Sequence, residues 1–509
     1  MNFCVGLDVG TTGAKALLVD EEGNVRGSAT TEYPMFTPHP LWSEQHPEDW
    51  WRAAKQSFRT VIEKAGIKPG EIAGVGLTGQ MHGLVLLGSH GEVLRPCIMW
   101  NDQRTAEECA EITSLVGESR LMALTANPVL PGFTAPKILW VRKHEPETYM
   151  KISRVLLPKD YIRYRLTGDF ATDVSDASGM SLLDVAHRDW SREMLGALQI
   201  PESWMPRVVE SVAITGTVTP EASRETGLRA GTPVVGGAGD QAAGAVGNGI
   251  VKPGIVSVTV GTSGVVFAHT DRLAVEQNGL LHAFCHAVPG AWHVMGVTLA
   301  AGGSLRWFRD ALGEPERALA AEKGVDPYEI LMEGAAQAPP GSEGLYFLPY
   351  LSGERTPHPD PYARGAFIGL TVRHTKAHMV RSVLEGVAFS LRDCLELTKA
   401  LGLQTTQVRA SGGGARSPFW RQILSNVFGT ELVTVTSTEG APYGAALLAG
   451  VGAKVYASVA DACNRTIHVS AVTHPDQEQS SLYNRSYAVY RDLYPALKKS
   501  FKTLSDIGS

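Results

Sequence analysis

The chain carries two copies of a short glycine–threonine turn, one near its start and one just past its middle. Residues 8–13 read Asp-Val-Gly-Thr-Thr-Gly, and residues 260–264 read Val-Gly-Thr-Ser-Gly. Each turn joins two β-type runs: Phe3 to Asp8 and Ala16 to Val19 in the first copy, Ile255 to Val260 and Val265 to Ala268 in the second. Such a hairpin offers backbone N–H groups and hydroxyls to an anion, and its glycines let a phosphate approach the backbone. Two hairpins predict a duplicated fold whose halves face each other across a nucleotide.

The length of the chain agrees with two halves. Its 509 residues exceed what one hydrophobic core usually supports, so two large domains are expected. Strand and helix patterns alternate along the sequence, which is typical of layered α/β domains. The turn at Val251 to Gly254 is the best boundary, and it divides the chain into residues 1–250 and 251–509.

Composition excludes several classes of partner. A hydrophobic content of 44% and a charged content of 19% are ordinary for a globular enzyme. The net charge of −6, without basic runs, argues against nucleic acid and anionic membrane as main partners. The six cysteines form no CxxC pair or zinc-like cluster and are expected to be reduced core residues. With no secretory signal and no apolar stretch of about 20 residues, the protein is expected in the cytoplasm.

Several elements can be predicted from periodicity. Apolar residues recur at helical spacing between Glu48 and Lys64, and long helices are expected near Lys376 to Leu401 and Pro418 to Phe428. Strands are expected at Ile72 to Leu77 and at Leu84 to Leu87. Near the C-terminus, tyrosines at 483, 487, 490 and 494 predict a helix that packs on the body of the protein.

The first candidate for chemistry is Asp8. A carboxylate at the end of a buried strand, beside a phosphate-binding turn, is well placed to hold Mg²⁺ directly or through water. An aspartate that only caps its turn is the alternative. The second copy of the turn favours the metal role.

The second candidate is Asp240, in the glycine-rich segment 236–241. An acid at a strand end, where a helix begins, can accept a proton from a substrate hydroxyl. The alternative is a helix N-cap, a position where aspartate is common. The location of Asp240 some 20 residues before the second hairpin favours catalysis.

The third candidate is the polar turn Gln80-Met81-His82-Gly83 between two apolar strands. Its imidazole and amide groups suit sugar hydroxyls, and Met81 suits the apolar face of a carbon chain. A surface β-turn with an incidental histidine is the alternative. Nearby, Trp100 offers a stacking ring beside Asn101 and Asp102, although an isolated tryptophan is more often a core residue.

The fourth candidate is the glycine-rich turn 411–417, between a β-run and a helix, where backbone can approach a nucleotide. The sequence has no GxxxxGK[ST] and no GxGxxG at the start of a Rossmann unit. It also lacks GxSxG and HExxH, so hydrolase and metalloprotease chemistry have no support.

Together these motifs resemble the FGGY carbohydrate kinases of the actin-like ATPase superfamily. Two longer stretches, 132–141 and 365–385, are similar to that family's signatures. Four shorter segments are most similar to the members of the family that phosphorylate D-xylulose: 40–45, 80–83, 157–161 and 347–357. The resemblance spans nearly the whole chain.

The resemblance implies two actin-like (ribonuclease H-like) α/β domains that face each other across a nucleotide and sugar cleft. It implies transfer of phosphate from MgATP to the terminal hydroxyl of D-xylulose, and homodimers are common among such kinases. Asp240 would be the proton acceptor and Asp8 the carboxylate associated with Mg²⁺. By position, the other expected contacts are Met81, His82 and Gln241 for the sugar, Thr11, Thr12, Gly261 and Thr262 for the phosphates, and Gly302, Gly413, Gly414 and Ser417 for the nucleoside.

One departure from the family pattern concerns the sugar. Kinases that act on D-xylulose usually have asparagine after the catalytic aspartate, whereas Gln241 resembles the pairing in glycerol kinases. The Arg-Glu pair typical of glycerol kinases is missing around Gln80 to Gly83, which keeps D-xylulose ahead. Another sugar or polyol, such as ribulose, glycerol or gluconate, is the alternative acceptor. A nucleotide-gated sugar-binding protein is an alternative of another class, and the presence of both Asp8 and Asp240 argues against it.

Overall fold

Two seven-stranded sheets form the framework of the molecule. The computed structural model describes residues 2–437 and 439–507. The strands of the first sheet are β1 (Phe3–Val9), β2 (Gly13–Asp20), β3 (Val25–Glu32), β4 (Ile72–Gly79), β5 (Ile214–Thr217), β6 (Pro233–Val235) and β7 (Ala238–Gly239). Those of the second sheet are β8 (Gly254–Val260), β9 (Gly264–Thr270), β10 (His282–Cys285), β11 (Trp292–Thr298), β12 (Thr405–Ser411), β13 (Leu432–Val435) and β14 (Val469–Thr473).

The two sheets share a topology. The first has the order β5-β6-β4-β1-β2-β3, with β7 also paired to β4, and the second has β10-β11-β9-β8-β12-β13-β14. In each sheet the strand that enters the glycine–threonine hairpin pairs antiparallel with the next strand, β1 with β2 and β8 with β9. The same strand pairs parallel with a later one, β1 with β4 and β8 with β12. The prediction of a duplicated α/β fold is therefore confirmed.

Helices cover these sheets, and several short two-stranded ladders lie outside them. The α-helices are Pro47–Ala65, Ala106–Val116, Glu118–Thr125, Thr134–His144, Pro146–Tyr149, Pro158–Thr167, Val174–Ala177, Arg192–Ala197, Pro220–Thr226, Asp240–Gly247, Gly302–Leu312, Glu314–Lys323, Pro327–Ala335, Lys376–Ala400, Pro418–Phe428, Gly440–Gly452, Val459–Thr466 and Gln477–Ile507. The ladders pair Glu44–Gln45 with Cys97–Ile98, Val85–Leu87 with Arg154–Leu156, Ala171–Asp173 with Arg207–Val209, Leu183–Asp184 with Asp189–Trp190, and Tyr346–Leu348 with Ala366–Ile368.

Helices predicted from apolar spacing form as expected. The helix Pro47–Ala65 begins with proline, ends at Gly66 in the left-handed conformation, and buries the predicted apolar face. The C-terminal helix Gln477–Ile507 buries its four tyrosines. Three of their hydroxyls donate to buried acids: Tyr483 to Glu385 at 2.7 Å, Tyr487 to Asp393 at 2.6 Å and Tyr494 to Asp360 at 2.7 Å. The tyrosine face therefore adds directional bonds to apolar burial.

The helix Gly440–Gly452 closes the first sheet although it lies late in the chain. It packs against the helix Asp240–Gly247 through glycines, because a Cβ on Gly444 would lie 1.9 Å from the carbonyl oxygen of Ala243. It also packs on β4, where a Cβ on Gly76 would lie 1.9 Å from the carbonyl oxygen of Ala445. Only glycine permits such close approach of backbones.

All six cysteines are buried and free, as predicted. Within residues 2–437 and 439–507, none of the helices combines the length and the apolar character that crossing a bilayer requires.

We predict that Gly444→Ala lowers the free energy of unfolding by about 1–3 kcal/mol, because the added methyl group forces two backbones apart. Urea unfolding of the purified protein measures the change. Gly334→Ala is the matched control, since Gly334 lies in the helix Pro327–Ala335 and no atom lies within 4 Å of the place where a Cβ would stand. That control should be neutral or stabilising by about 0.5–1 kcal/mol. Equal effects of the two substitutions would contradict the close-approach explanation.

Candidate active site

The ends of three neighbouring strands bring the two predicted acids together. In the register of the first sheet, Asp8 on β1 is opposite Thr78 on β4, and Thr78 is also opposite Ala238 on β7. Asp240 follows β7 directly and opens the helix Asp240–Gly247. The strand ends thus place both carboxylates at one edge of the sheet, which is where ligands bind in open α/β sheets.

Asp8 and Asp240 line one cavity together with residues of the second half. Its volume is about 630 Å³, within the usual range for small-molecule sites. Among the predicted residues, Gln241 and Gly413 also line it. Lining residues that the sequence reasoning did not single out include Asn248, Ser257, Thr259, Thr434 and Ala441. The cavity therefore joins the candidate base, the candidate metal carboxylate and the glycine-rich turn.

The side chain of Asp8 does not cap its turn. Its Oδ1 atom is buried and has no hydrogen-bond partner among the described residues. The pKa of Asp8 is raised to about 7, mainly by burial and also by the charge of Asp240, while the charge of Lys15 opposes the rise. A buried carboxylate that has no hydrogen-bond partner and a pKa near 7 is well suited to bind a cation, because the cation would stabilise its charged form.

Asp240 is not an N-cap either, because Gly239 occupies that position. Burial raises the pKa of Asp240 to about 6, and hydrogen bonds from the backbone and side chain of Gln241 limit the rise. A carboxyl group with this pKa is mostly ionised at pH 7, and its basicity exceeds that of an ordinary aspartate. Both properties suit a general base.

The first glycine of each hairpin closes its tip with a backbone hydrogen bond, although the bond spans three residues in the first hairpin and two in the second. The N–H of Gly10 donates to the carbonyl oxygen of Gly13 at 3.1 Å, and that of Gly261 donates to Ser263 at 3.0 Å. Across the described part of the chain, the N–H groups of Thr11, Thr12 and Thr262 have no backbone acceptor. These donors suit phosphate oxygens.

Each hairpin tip is supported by a side chain from outside the hairpin. The indole N–H of Trp100 donates to Thr11 Oγ1 at 3.1 Å, so Trp100 lies against the first hairpin, with 43% of its surface exposed. On the second hairpin, the Arg306 guanidinium donates to Thr262 Oγ1 at 2.9 Å. The backbone N–H of Gly302 donates to Gly261 at 2.7 Å, which makes Gly302 a support of the hairpin. Sequence reasoning missed Arg306, because a single arginine in a helix carries no signal of its own.

The turn with Met81 and His82 lies beside Asp240. The side chain of Met81 packs on Gly239, where a Cβ would lie 2.9 Å from Met81 Cγ. His82 has a φ of 68°, which is unusual for a residue other than glycine. The segment 132–137, similar to a family signature, stabilises this conformation. The carbonyl oxygen of His82 accepts hydrogen bonds from Thr134 Oγ1 at 3.0 Å and from Lys137 Nζ at 2.9 Å.

The imidazole of His82 is neutral and has a defined orientation. Its Nδ1 lies 2.7 Å from the carbonyl oxygen of Gly179, and its ring stacks on Phe133. Because a carbonyl only accepts, Nδ1 carries the proton and Nε2 is an acceptor. The pKa of His82 is lowered to about 3, mainly by burial and also by the charges of Lys137 and Arg355. His82 therefore offers Nε2 to a donor such as a sugar hydroxyl over the whole neutral range.

Arg355 is a second residue that sequence reasoning left without a role. The side chain of Arg355 is exposed. Burial of His282, together with the positive charge of Arg355, lowers the pKa of His282 to about 3. The neighbouring residues fasten its loop to β11: Thr298 Oγ1 donates to Glu354 at 2.6 Å, and Thr356 accepts from the Val297 N–H at 3.2 Å. The second half thus presents a cation on the side of the molecule where His82 lies.

The glycine-rich turn 411–417 is only partly open. Gly413 has no atom within 4 Å of its Cβ position and lines the cavity. Gly414 is buried, and a Cβ there would lie 2.5 Å from Val260 Cγ1. The hydroxyl of Ser417 accepts from the Trp420 N–H at 3.2 Å and caps the helix Pro418–Phe428. Asp102, beside Trp100, is buried and pairs with Arg104 at 2.7 Å, so it is unavailable to a ligand.

Comparison with known proteins agrees with this geometry. Residues 3–247 match the N-terminal domain of the FGGY family of carbohydrate kinases, and residues 256–453 match its C-terminal domain. The xylulose kinase of Escherichia coli strain K12 is 41% identical over 494 residues, 97% of this chain and 99% of that protein. The gluconokinase of Bacillus subtilis strain 168 is 31% identical over 507 residues, 99% of this chain and 98% of that protein. The xylulose kinase structure from Rhodospirillum rubrum has a TM-score of 0.90 at 30% identity, over 98% of this chain and 100% of that one.

The chain therefore belongs to the FGGY family of carbohydrate kinases. A carbohydrate kinase transfers a phosphoryl group from a nucleotide to a sugar. Two acids line the cavity, and N–H groups without a backbone acceptor lie at the hairpin tips of the described structure.

We predict that Asp8→Asn stabilises the ligand-free protein at pH 8, on the order of 4 kcal/mol, because the buried charge is removed. The folded pKa of Asp8, about 7, lies above its unfolded value. The wild-type penalty is therefore full above pH 7 and disappears as the pH falls toward 4. Thermal melts at pH 8 and pH 5 should show a difference in Tm that shrinks at pH 5. Asp102→Asn, which breaks a buried pair with Arg104, should lower Tm. A lower Tm for Asp8→Asn at pH 8 would contradict the assignment.

Proposed function

We propose that this kinase transfers the γ-phosphoryl group of ATP to the terminal hydroxyl of D-xylulose. The observation that carries the proposal is the placement of Asp240 in the cavity, next to Met81 and on the same sheet edge as Asp8. The likeness to xylulose kinases over the whole chain supports the same reaction.

The reaction needs alignment and charge neutralisation more than covalent help from the protein. Asp240 accepts the proton of the attacking hydroxyl, and Gln241 holds the carboxylate of Asp240. His82 Nε2 accepts a hydrogen bond from another hydroxyl of the sugar, and Met81 covers the carbon chain. The free N–H groups at the two hairpin tips bind phosphate oxygens and stabilise the charge that develops during transfer.

The residues present fit Mg²⁺. The unpartnered Oδ1 of Asp8 is a carboxylate oxygen, the ligand type that Mg²⁺ prefers, and Asp240 lines the same cavity. The described residues hold no cluster of three or more ligating side chains, which agrees with an ion held mainly by phosphates and water. When bound near Asp8, Mg²⁺ supplies positive charge to the phosphates in transfer.

Gluconate is a second candidate acceptor, and two observations favour it. The gluconokinase of Bacillus subtilis resembles this chain over nearly its full length. Arg355 places a cation on the side of His82, where a carboxylate would pair with it.

The cytoplasmic location, the homodimer and the division of the chain at residue 250 remain predictions.

The acceptor can be identified by ADP release across D-xylulose, D-ribulose, glycerol and gluconate, at fixed MgATP. We expect kcat/KM for D-xylulose to exceed the next best acceptor by at least about tenfold, a difference of about 1.4 kcal/mol. Arg355→Gln separates the two leading candidates, since it should reduce the rate with gluconate more than with D-xylulose. A higher kcat/KM for gluconate would overturn the choice of D-xylulose, and no stimulation by any sugar would favour a binding protein.

We predict that Asp240→Ala reduces kcat at least about a hundredfold, because the hydroxyl loses its general base. MgADP binding, measured by calorimetry, should be retained, since the hairpin tips remain intact. Retention of more than about a tenth of the wild-type kcat would remove Asp240 from the role of base.

A further inference from the structure

One hydrogen bond fixes the backbone immediately before Asp240. The N–H of Gly239 donates to Ser175 Oγ at 3.1 Å, and both residues are buried. Gly239 ends β7 and is the N-cap of the helix that Asp240 opens. The bond is therefore made at the point where the chain turns from strand to helix.

The hydroxyl of Ser175 is itself oriented. It donates to Asp173 Oδ2 at 2.5 Å, and the Ser175 N–H donates to the same oxygen at 2.9 Å. A hydroxyl has one proton, and this proton is used on Asp173, so the lone pairs of Ser175 Oγ are left for Gly239. Asp173 thus orients the Ser175 hydroxyl so that its oxygen lone pairs, and not its proton, face the N–H of Gly239.

A buried cation holds Asp173. Lys159 Nζ lies 2.9 Å from Asp173 Oδ1, 2.6 Å from Asp160 and 3.4 Å from Asp176, and all four side chains are 0% exposed. Removing charges from water is costly, and replacing a buried ion pair by apolar residues is often neutral or stabilising. A cluster of this kind is therefore a weak indication of a contribution to stability alone.

We propose that Ser175 is a positioning residue for Asp240, held by the Lys159–Asp173 pair and acting through the backbone of Gly239. The inference rests on the proposed role of Asp240 as the base. A base displaced by about 1 Å can lose about a hundredfold in rate, so one bond at the preceding residue has a large effect on alignment. Ser175 itself is fully buried and is not among the residues that line the cavity.

The chain offers a matched control in Ser211. Its hydroxyl donates to the same Asp173 Oδ2 at 2.8 Å, and Ser211 is as fully buried as Ser175. Its side chain makes no bond to Gly239. The two serines therefore differ in their link to Asp240 and share the bond to Asp173.

The test compares Ser175→Ala with Ser211→Ala in the full-length enzyme. We expect Ser175→Ala to lower kcat at least about tenfold, with KM for MgATP and sugar within about twofold, because ground-state binding does not need the aligned base. Ser211→Ala should keep kcat within about twofold of the wild type. Ser175→Ala should lower Tm somewhat more than Ser211→Ala, because it also leaves the buried Gly239 N–H without an acceptor, so kcat is compared at a temperature well below both transitions. Equal losses of kcat in the two variants would overturn the proposal. So would a loss of kcat in Ser175→Ala that disappears at temperatures well below its Tm, because that loss would reflect unfolding.

An error in the proposed acceptor, D-xylulose, can be distinguished from an error in the positioning role of Ser175. If the wild type prefers another sugar of the panel, D-xylulose fails for all three proteins alike, and the serines are compared with the preferred sugar. The ratio of kcat between the two variants tests the positioning role in either case.

Discussion

The structure depends on two like charges that it holds out of water at the ends of neighbouring strands. Asp8 and Asp240 each have a raised pKa because of burial, and Asp240 raises the pKa of Asp8 further. A folded protein usually avoids such an arrangement, because unpaired buried charge is costly. In the proposed mechanism, a cation and the phosphates it accompanies would complete the site and offset this cost. The stability of the free protein and the affinity for its ligands are therefore linked through the same two carboxylates.

Much of this arrangement could be predicted because its signals are local. The hairpins at Asp8 and Val260 are visible as repeated residue types between β-type runs. That pattern is enough to predict that each pair of strands forms an antiparallel hairpin. The helix Pro47–Ala65 and the tyrosine face of the C-terminal helix follow from apolar spacing. Asp240 could be found because glycines precede it at a strand end. In each case neighbouring residues carry the information.

Other features could not be predicted because they depend on contacts between distant segments. Nothing near Trp100 indicates that its indole N–H holds the first hairpin, and nothing near Arg306 indicates that it supports the second. The hydroxyl of Ser417 and the small size of Gly414 serve the turn itself, which sequence alone does not distinguish from ligand contact. The segment 132–137 had a recognisable pattern, yet its task of holding the His82 carbonyl became clear only from the distances.

The helix Gly440–Gly452 has a consequence for synthesis of the protein. It covers apolar residues of the first sheet, Leu17 and Val19 on β2 among them, in one cluster with Ala446 and Leu447. While the ribosome makes the first half, that face of the sheet has no cover, and it stays open until the helix that ends at Gly452 has been translated. Exposed apolar surface of this kind binds chaperones or aggregates. A fragment that ends at the first half should therefore be insoluble, and the nascent chain should need protection until the late helix arrives.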